Sequence, residues 1–166
     1  MGEKGVNTDA EIIRRAGEDP RAFAELFDRY SRSIAGFAVR RVGADAAADA
    51  VSETFLVAYR KRDKFDPEAQ SALPWLYGIA SREVRKHRTA EARHWRAVAA
   101  GAQESHADGA DSSVDRLDAE REAKALAPVL AKLSRRDRET LLLYAWGELT
   151  YEQVAAAQNI PVGTVR

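Results

Sequence analysis

Apolar residues recur three and four positions apart along almost the whole chain, in alanine-rich stretches, and no run alternates with a period of two. A half-buried strand requires that alternation and an amphipathic helix requires the longer spacing, so the pattern predicts an all-α protein. Asp19-Pro20 supplies an oxygen-bearing cap and a proline suited to a first helical position. The stripe Phe23, Phe27, Tyr30, Ile34 and Phe37 that follows reads as core. A shorter helix over Asp9 to Ala16 precedes it, Gly43 ends the long element, and a fresh helix runs from Asp45 to Lys61. Asp66-Pro67 marks a loop, after which a helix is predicted from Pro74 to Trp95.

Length and composition divide this helical material. With 166 residues, 45% of them hydrophobic, the chain can fill the core of one ordinary domain or of two small ones. Residues 97–113 read AVAAGAQESHADGADSS, with too little apolar side chain to offset the entropy of ordering them, and are expected to be a linker. Beyond it, Leu126, Val129, Leu130 and Leu133 keep helical spacing, with Pro128 either kinking that element or starting a new one. Ser134 with Asp137 opens a helix that ends near Gly147, and Thr150 with Gln153 opens another. The latter meets Gln158-Asn159-Ile160-Pro161, where Asn159 tolerates a left-handed turn and Pro161 can start a further helix.

The chain has no cysteine, which removes disulfide frameworks and thiolate zinc sites. No apolar stretch reaches the roughly 20 residues that span a bilayer, and Met1 to Asp9 has no apolar secretion core, so the expectation is a cytoplasmic protein. Net charge is zero, and only its distribution is informative. Arg82, Arg85, Lys86, Arg88, Arg93 and Arg96 face only Glu83 and Glu91 in one block, whereas residues 104–122 are predominantly acidic.

Two helical faces stand out. On the helix from Asp45 to Lys61, Ala47, Ala48, Val51, Phe55, Ala58 and Tyr59 share one side. The other presents Asp45, Asp49, Ser52 and Glu53 around Leu56. An apolar anchor ringed by acids suits a protein partner, and it equally describes a solvated face with one exposed leucine. On the helix from Pro74, Leu76, Ile79, Ala80, Val84 and His87 line one face. Ser81, Arg82, Arg85, Lys86, Arg88 and Arg93 take the opposite face, with Trp75 and Tyr77 at its margins. Cations beside flat rings fit single-stranded nucleic acid, while a solvated surface or an anionic membrane would use the same residues. The segment Thr150 to Arg166 fits a helix-turn-helix, with small Ala155 at the helix crossing, and also fits an ordinary helical hairpin. No histidine pair has the spacing of a helical metal site, and no phosphate loop, nucleophile elbow or paired acids are present, so no catalytic residue, metal or cofactor is expected.

Four stretches taken in order add a resemblance: DPRAFAELFDRYSRSIAGFAVRRVG, DAAADAVSETFLVAYRKRDKF, PWLYGIASREVRKHRTAEARHWRA and LSRRDRETLLLYAWGELTYEQVAAAQNIPVGTVR. Together they resemble the extracytoplasmic-function sigma factors of bacteria. That resemblance implies two small helical domains joined by a flexible acidic linker. Residues 1–96 would form sigma region 2, residues 97–114 the linker, and residues 115–166 region 4. Asp45, Asp49, Ser52, Glu53 and Leu56 would dock on the β′ clamp helices of core RNA polymerase. Trp75, Tyr77, Ser81, Arg82, Arg85, Lys86, Arg88 and Arg93 would open and hold the minus-ten strand of promoter DNA. The helix-turn-helix, through Thr150, Tyr151, Pro161, Thr164 and Arg166, would read the minus-thirty-five element beside the β flap. The linker would thread the polymerase near its active site, and an anti-sigma factor would be a further partner. The runner-up is a stand-alone helix-turn-helix regulator that needs no polymerase.

Arg82 stands where many relatives carry asparagine, Ser52 replaces a frequent glutamine, and Gln158 replaces an apolar residue usual before the turn. The sequence stops at Arg166, a few residues into the expected recognition helix, so the expectation is either a truncated end, the favoured reading, or a protein that relies on its first domain.

Overall fold

The computed structural model describes residues 7–100, 128–130 and 132–166, and the side chains of residues 88–90, 95, 98 and 99 lie outside the described residues. Every regular element among the described residues is helical. The first, α1 (Asp9–Arg15), opens on a capping box in which Thr8 accepts from the Glu11 amide while the Glu11 carboxylate accepts from the Thr8 amide. Asp19 caps a 3-10 turn over Pro20–Phe23, accepting from the Arg21 amide at 3.0 Å.

The long helix α2 (Ala24–Arg60) is interrupted at Gly43, where φ is 79° and ψ 168°. A side chain there would meet the Cβ penalty of a positive φ, so glycine lets the chain change direction without a loop. Gly43 therefore separates two helical arms, as its position in the sequence predicts. Asp66 caps the turn after α2, accepting from the Glu68 amide at 3.0 Å, and α3 (Leu73–Lys86) begins with proline in its first turn. The helix expected from Pro74 to Trp95 is in fact two, because His87, with ψ at 36°, breaks it before α4 (Arg88–Ala99). Helix α4 also runs past the expected linker start at position 97; the rest of that linker, residues 101–114, lies outside the described residues.

The later helices are α5 (Arg135–Gly147), capped by Ser134 accepting from the Asp137 amide, and α6 (Tyr151–Gln158), capped by the reciprocal pair Thr150 and Gln153. Residues 128–130 are helical, with Pro128 at their head, and the residues before them lie outside the described ones. Arg138 secures the C-terminal end of that segment by donating to the Leu130 and Leu133 carbonyls at 2.7 and 3.2 Å. Left-handed Glu148 and Asn159 turn the chain after α5 and α6, and a 3-10 turn at Val162–Thr164 follows Pro161.

The two groups of helices do not keep separate cores. Ile12, Leu26, Ile34, Phe37, Leu76 and Ile79 form one buried cluster with Leu130, Leu142, Leu143, Leu149 and Val154. Within the aromatic stripe of α2, Phe37 and Ile34 are buried as expected, but Phe27 is 44% exposed and packs only its edge against Phe55, centroids 4.8 Å apart. Asp9 ties the first group together: its buried carboxylate accepts from the Tyr30 hydroxyl and from the Ala72 amide, both at 2.6 Å, and from Arg29.

Candidate functional site

The arm of α2 after Gly43 turns Ala47, Ala50, Thr54, Phe55 and Ala58 into the core. Asp45, Asp49, Ser52, Glu53 and Leu56 therefore all reach solvent, with Leu56 at 41% exposure. Thr54 donates back to the Ala50 carbonyl at 2.6 Å, which satisfies its hydroxyl inside the core. Among the described residues, Asp45, Asp49 and Glu53 take part in no ion pair, so their field faces outward.

The second expected face is divided. Arg82 and Lys86 are exposed, Lys86 pairing with the buried Glu83 at 2.5 Å, and Arg93 is exposed on α4. Arg85 and Trp75 are half-buried, the Trp75 ring lying 5.3 Å from that of Phe65. The Arg88 side chain lies outside the described residues. Tyr77 and Ser81, expected on this open face, are instead buried at 2% and 4% exposure. Tyr77 packs edge-on to Phe37 with centroids 5.2 Å apart, and a Cβ on Gly147 would sit 3.5 Å from its ring. Burial raises the Tyr77 pKa, the nearby Glu148 charge adds to the effect, and Arg40 opposes it.

Sequence spacing could not show why. Helix α6 crosses α3 so closely that a Cβ added at Gly78 would lie 2.3 Å from the Ala157 carbonyl oxygen. Only glycine permits that approach. Beside the crossing, the buried Arg41 guanidinium donates to Glu91 at 2.8 and 3.1 Å and to Glu139 at 2.6 Å. Burial alone would lower the Arg41 pKa, but the charges of Glu139 and Glu91 outweigh it and the net shift is upward. Arg41, Glu91, Glu139 and Gly78 were not among the residues singled out from sequence. The pairing joins positions 98 apart, for which no local pattern exists.

In the helix-turn-helix segment, Thr150, Tyr151, Pro161, Thr164 and Arg166 are all exposed. Tyr151 lies against Tyr144, ring centroids 5.2 Å apart. Gln158, unusual before the turn, is accommodated because its amide donates to the Thr140 hydroxyl at 2.8 Å, joining α6 to α5. Among the described residues no cluster of histidine, cysteine or acidic side chains could hold a metal, and no helix is long and apolar enough to cross a membrane.

The described helices present an outward acidic face, an arginine-bearing helix and a capped helix, α6, whose left-handed turn leads into a single 3-10 turn at Val162–Thr164 where a second helix was expected from Pro161. Comparison with known proteins assigns the chain to a family. Residues 26–94 match the model for Sigma-70 region 2 and residues 124–166 that for Sigma-70, region 4. The chain is 32% identical to the ECF RNA polymerase sigma factor SigK of Mycobacterium tuberculosis over 162 residues, covering 95% of this chain and 85% of the relative. It is 28% identical to the ECF RNA polymerase sigma factor RpoE of Cereibacter sphaeroides, covering 100% of this chain and 92% of the relative. A solved structure of CnrH in complex with the cytosolic domain of CnrY aligns with a TM-score of 0.64 at 23% identity, over 96% of this chain and 88% of that one. The chain belongs to the ECF RNA polymerase sigma factors, and its function lies in transcription initiation.

Proposed function

We propose that the protein works by assembly alone, without covalent chemistry, as the promoter-reading component of a polymerase holoenzyme in the cytoplasm. Residues 1–96 act as the polymerase-docking and minus-ten unit, residues 97–114 as the linker, and residues 115–166 as the minus-thirty-five unit. The carrying observation is the exposure of Asp45, Asp49, Ser52, Glu53 and Leu56 together on one side of α2. That surface docks on the β′ clamp helices, with Leu56 as the apolar anchor and the carboxylates setting orientation and encounter rate. Arg82, Arg85, Lys86, Arg88 and Arg93 grip the opened non-template strand, and Trp75 offers a ring to an unstacked base.

The exposed Tyr144 and Tyr151 pair, with Leu141 at 37% exposure, supplies an apolar surface for the β flap. Thr150, Tyr151, Pro161, Thr164 and Arg166 approach the minus-thirty-five groove. CnrH was solved with a cytosolic domain of CnrY bound, and by analogy an anti-sigma factor is a partner here. The reading is tested by mixing the purified protein with core polymerase and sequencing the transcripts made. Specific initiation at a defined promoter set supports it; a complex that forms no specific transcripts refutes it.

A further inference from the structure

We propose that Arg14, Arg60 and Arg62 form a second cationic surface, a groove that grips backbone phosphates of the captured strand where it passes from Trp75 toward the docked polymerase. This rests on the readings of α3 as the minus-ten surface and of Asp45 to Leu56 as the docking face. An open groove of about 500 Å³ lies between α1 and the turn that ends α2. Buried Ile13 forms its floor, and Arg14, Arg60, Arg62 and Asp63 form its walls.

The charge of the groove is one-sided. Asp63 pairs with Lys64 at 3.4 Å, and among the described residues Arg14, Arg60 and Arg62 take part in no ion pair. Like charges gathered in one groove repel one another, and an arriving anion relieves that repulsion. Arg62 is held ready for it. Its guanidinium lies 4.6 Å from the centre of the Tyr59 ring and donates to the Tyr59 carbonyl at 3.0 Å. A planar guanidinium fixed before contact suits a phosphate and loses little freedom on meeting one.

The position of the groove selects the anion. At one end, the Phe65 amide donates to the Arg62 carbonyl at 3.2 Å, and the Phe65 ring lies 5.3 Å from that of Trp75, the ring offered to an unstacked base. At the other end, Arg60 falls one helical turn beyond Leu56, on the stripe of α2 that carries Asp49 and Glu53. The groove therefore covers the ground between the strand-capturing face and the docking face. A polymerase surface that complements Asp49 and Glu53 is itself cationic and would be repelled by the arginines beside it. The strand is the anion that the complex brings to this place.

The test uses holoenzyme assembled from the full chain and fluorescent single strands: the minus-ten segment alone, and the same segment lengthened by several nucleotides at its upstream or its downstream end. Lengthening toward one end should steepen the parent's slope of log affinity against log salt by about 2, since each phosphate contact on a single strand adds about 0.7. Arg14→Gln with Arg60→Gln and Arg62→Gln should lose that increment while holding the short segment as the parent does. The corresponding lysine substitutions, which keep the charges, should restore it. Glutamine at position 62 also removes the contact with Tyr59, so Arg14→Gln with Arg60→Gln alone supplies a second variant, expected to lose about 1.4 of the slope.

Equal increments in the parent and both glutamine variants overturn the proposal. Weaker binding of core polymerase by the variants, with strand binding by the assembled complex unchanged, overturns it as well and makes the groove a polymerase contact. A parent holoenzyme that holds the short segment but gains nothing from lengthening at either end leaves the minus-ten reading standing and removes the groove. If the parent forms no holoenzyme, or its holoenzyme cannot hold the short segment, the underlying reading fails and the proposal falls with it.

Discussion

Arg41, on the first arm of α2, donates to Glu139 on α5 at 2.6 Å, and both side chains are almost completely buried. This ion pair joins the two groups of helices across the chain. Removing the cation would leave the buried Glu139 and half-buried Glu91 carboxylates near each other without their shared partner. Arg41→Ala is therefore expected to cost roughly 3–5 kcal/mol of stability. Glu139→Gln, which leaves Arg41 paired with Glu91, should cost about 1–3 kcal/mol. Urea unfolding of the three proteins checks the order; equal losses would show that the pair does not hold the seam.

Reversing the acidic face should act on association and leave folding intact. Asp49 and Glu53 are exposed, so Asp49→Lys with Glu53→Lys changes a surface charge and not the core. Like charges placed across an interface cost several kcal/mol, which predicts a loss of about a hundredfold or more in affinity for core polymerase. Titration against labelled core polymerase measures it. Unchanged affinity assigns docking to another surface.

Each cation that contacts a phosphate releases counterions, and on single strands it contributes about 0.7 to the slope of log affinity against log salt. Replacing Arg82, Arg85 and Lys86 with glutamine should flatten the slope for minus-ten strand capture in the holoenzyme by about 2. A parallel plot at lower affinity would mean that these side chains shape the surface without touching the strand.

His94 gives a pH dependence. Burial lowers its pKa from the ordinary 6.5, against the raising effects of a hydrogen bond with the Arg40 backbone and the Glu91 charge. A histidine with a depressed folded pKa takes up its proton first in the unfolded chain. Its contribution to stability is complete above 6.5 and is lost progressively as pH falls from there toward the folded value. Thermal unfolding between pH 7.5 and 5, compared with His94→Gln, should show a steeper acid decline in the parent. Identical pH profiles would contradict the assignment.

The local rules were legible in the sequence. Thr150 with Gln153, Ser134 with Asp137, and Asp19-Pro20 each start an element, because caps and prolines act through neighbours a few residues away. The outward face of Asp45 to Leu56 followed from periodicity alone. The break at His87 did not, because the apolar spacing runs straight through it while the backbone turns. Tyr77 and Ser81 were placed on an open surface because a helical wheel describes one helix and one core. Their burial comes from a second layer, and its enabling residue, Gly78, shows its role only once Ala157 is seen against it.

Permanganate reactivity of promoter thymines tests the central claim most directly. Reactivity in the minus-ten region should appear only when this protein and core polymerase are both present, and should vanish with the lysine substitutions at Asp49 and Glu53. Tight, sequence-specific binding of duplex promoter by the protein alone, with no opening when polymerase is added, would contradict the account and favour a stand-alone regulator.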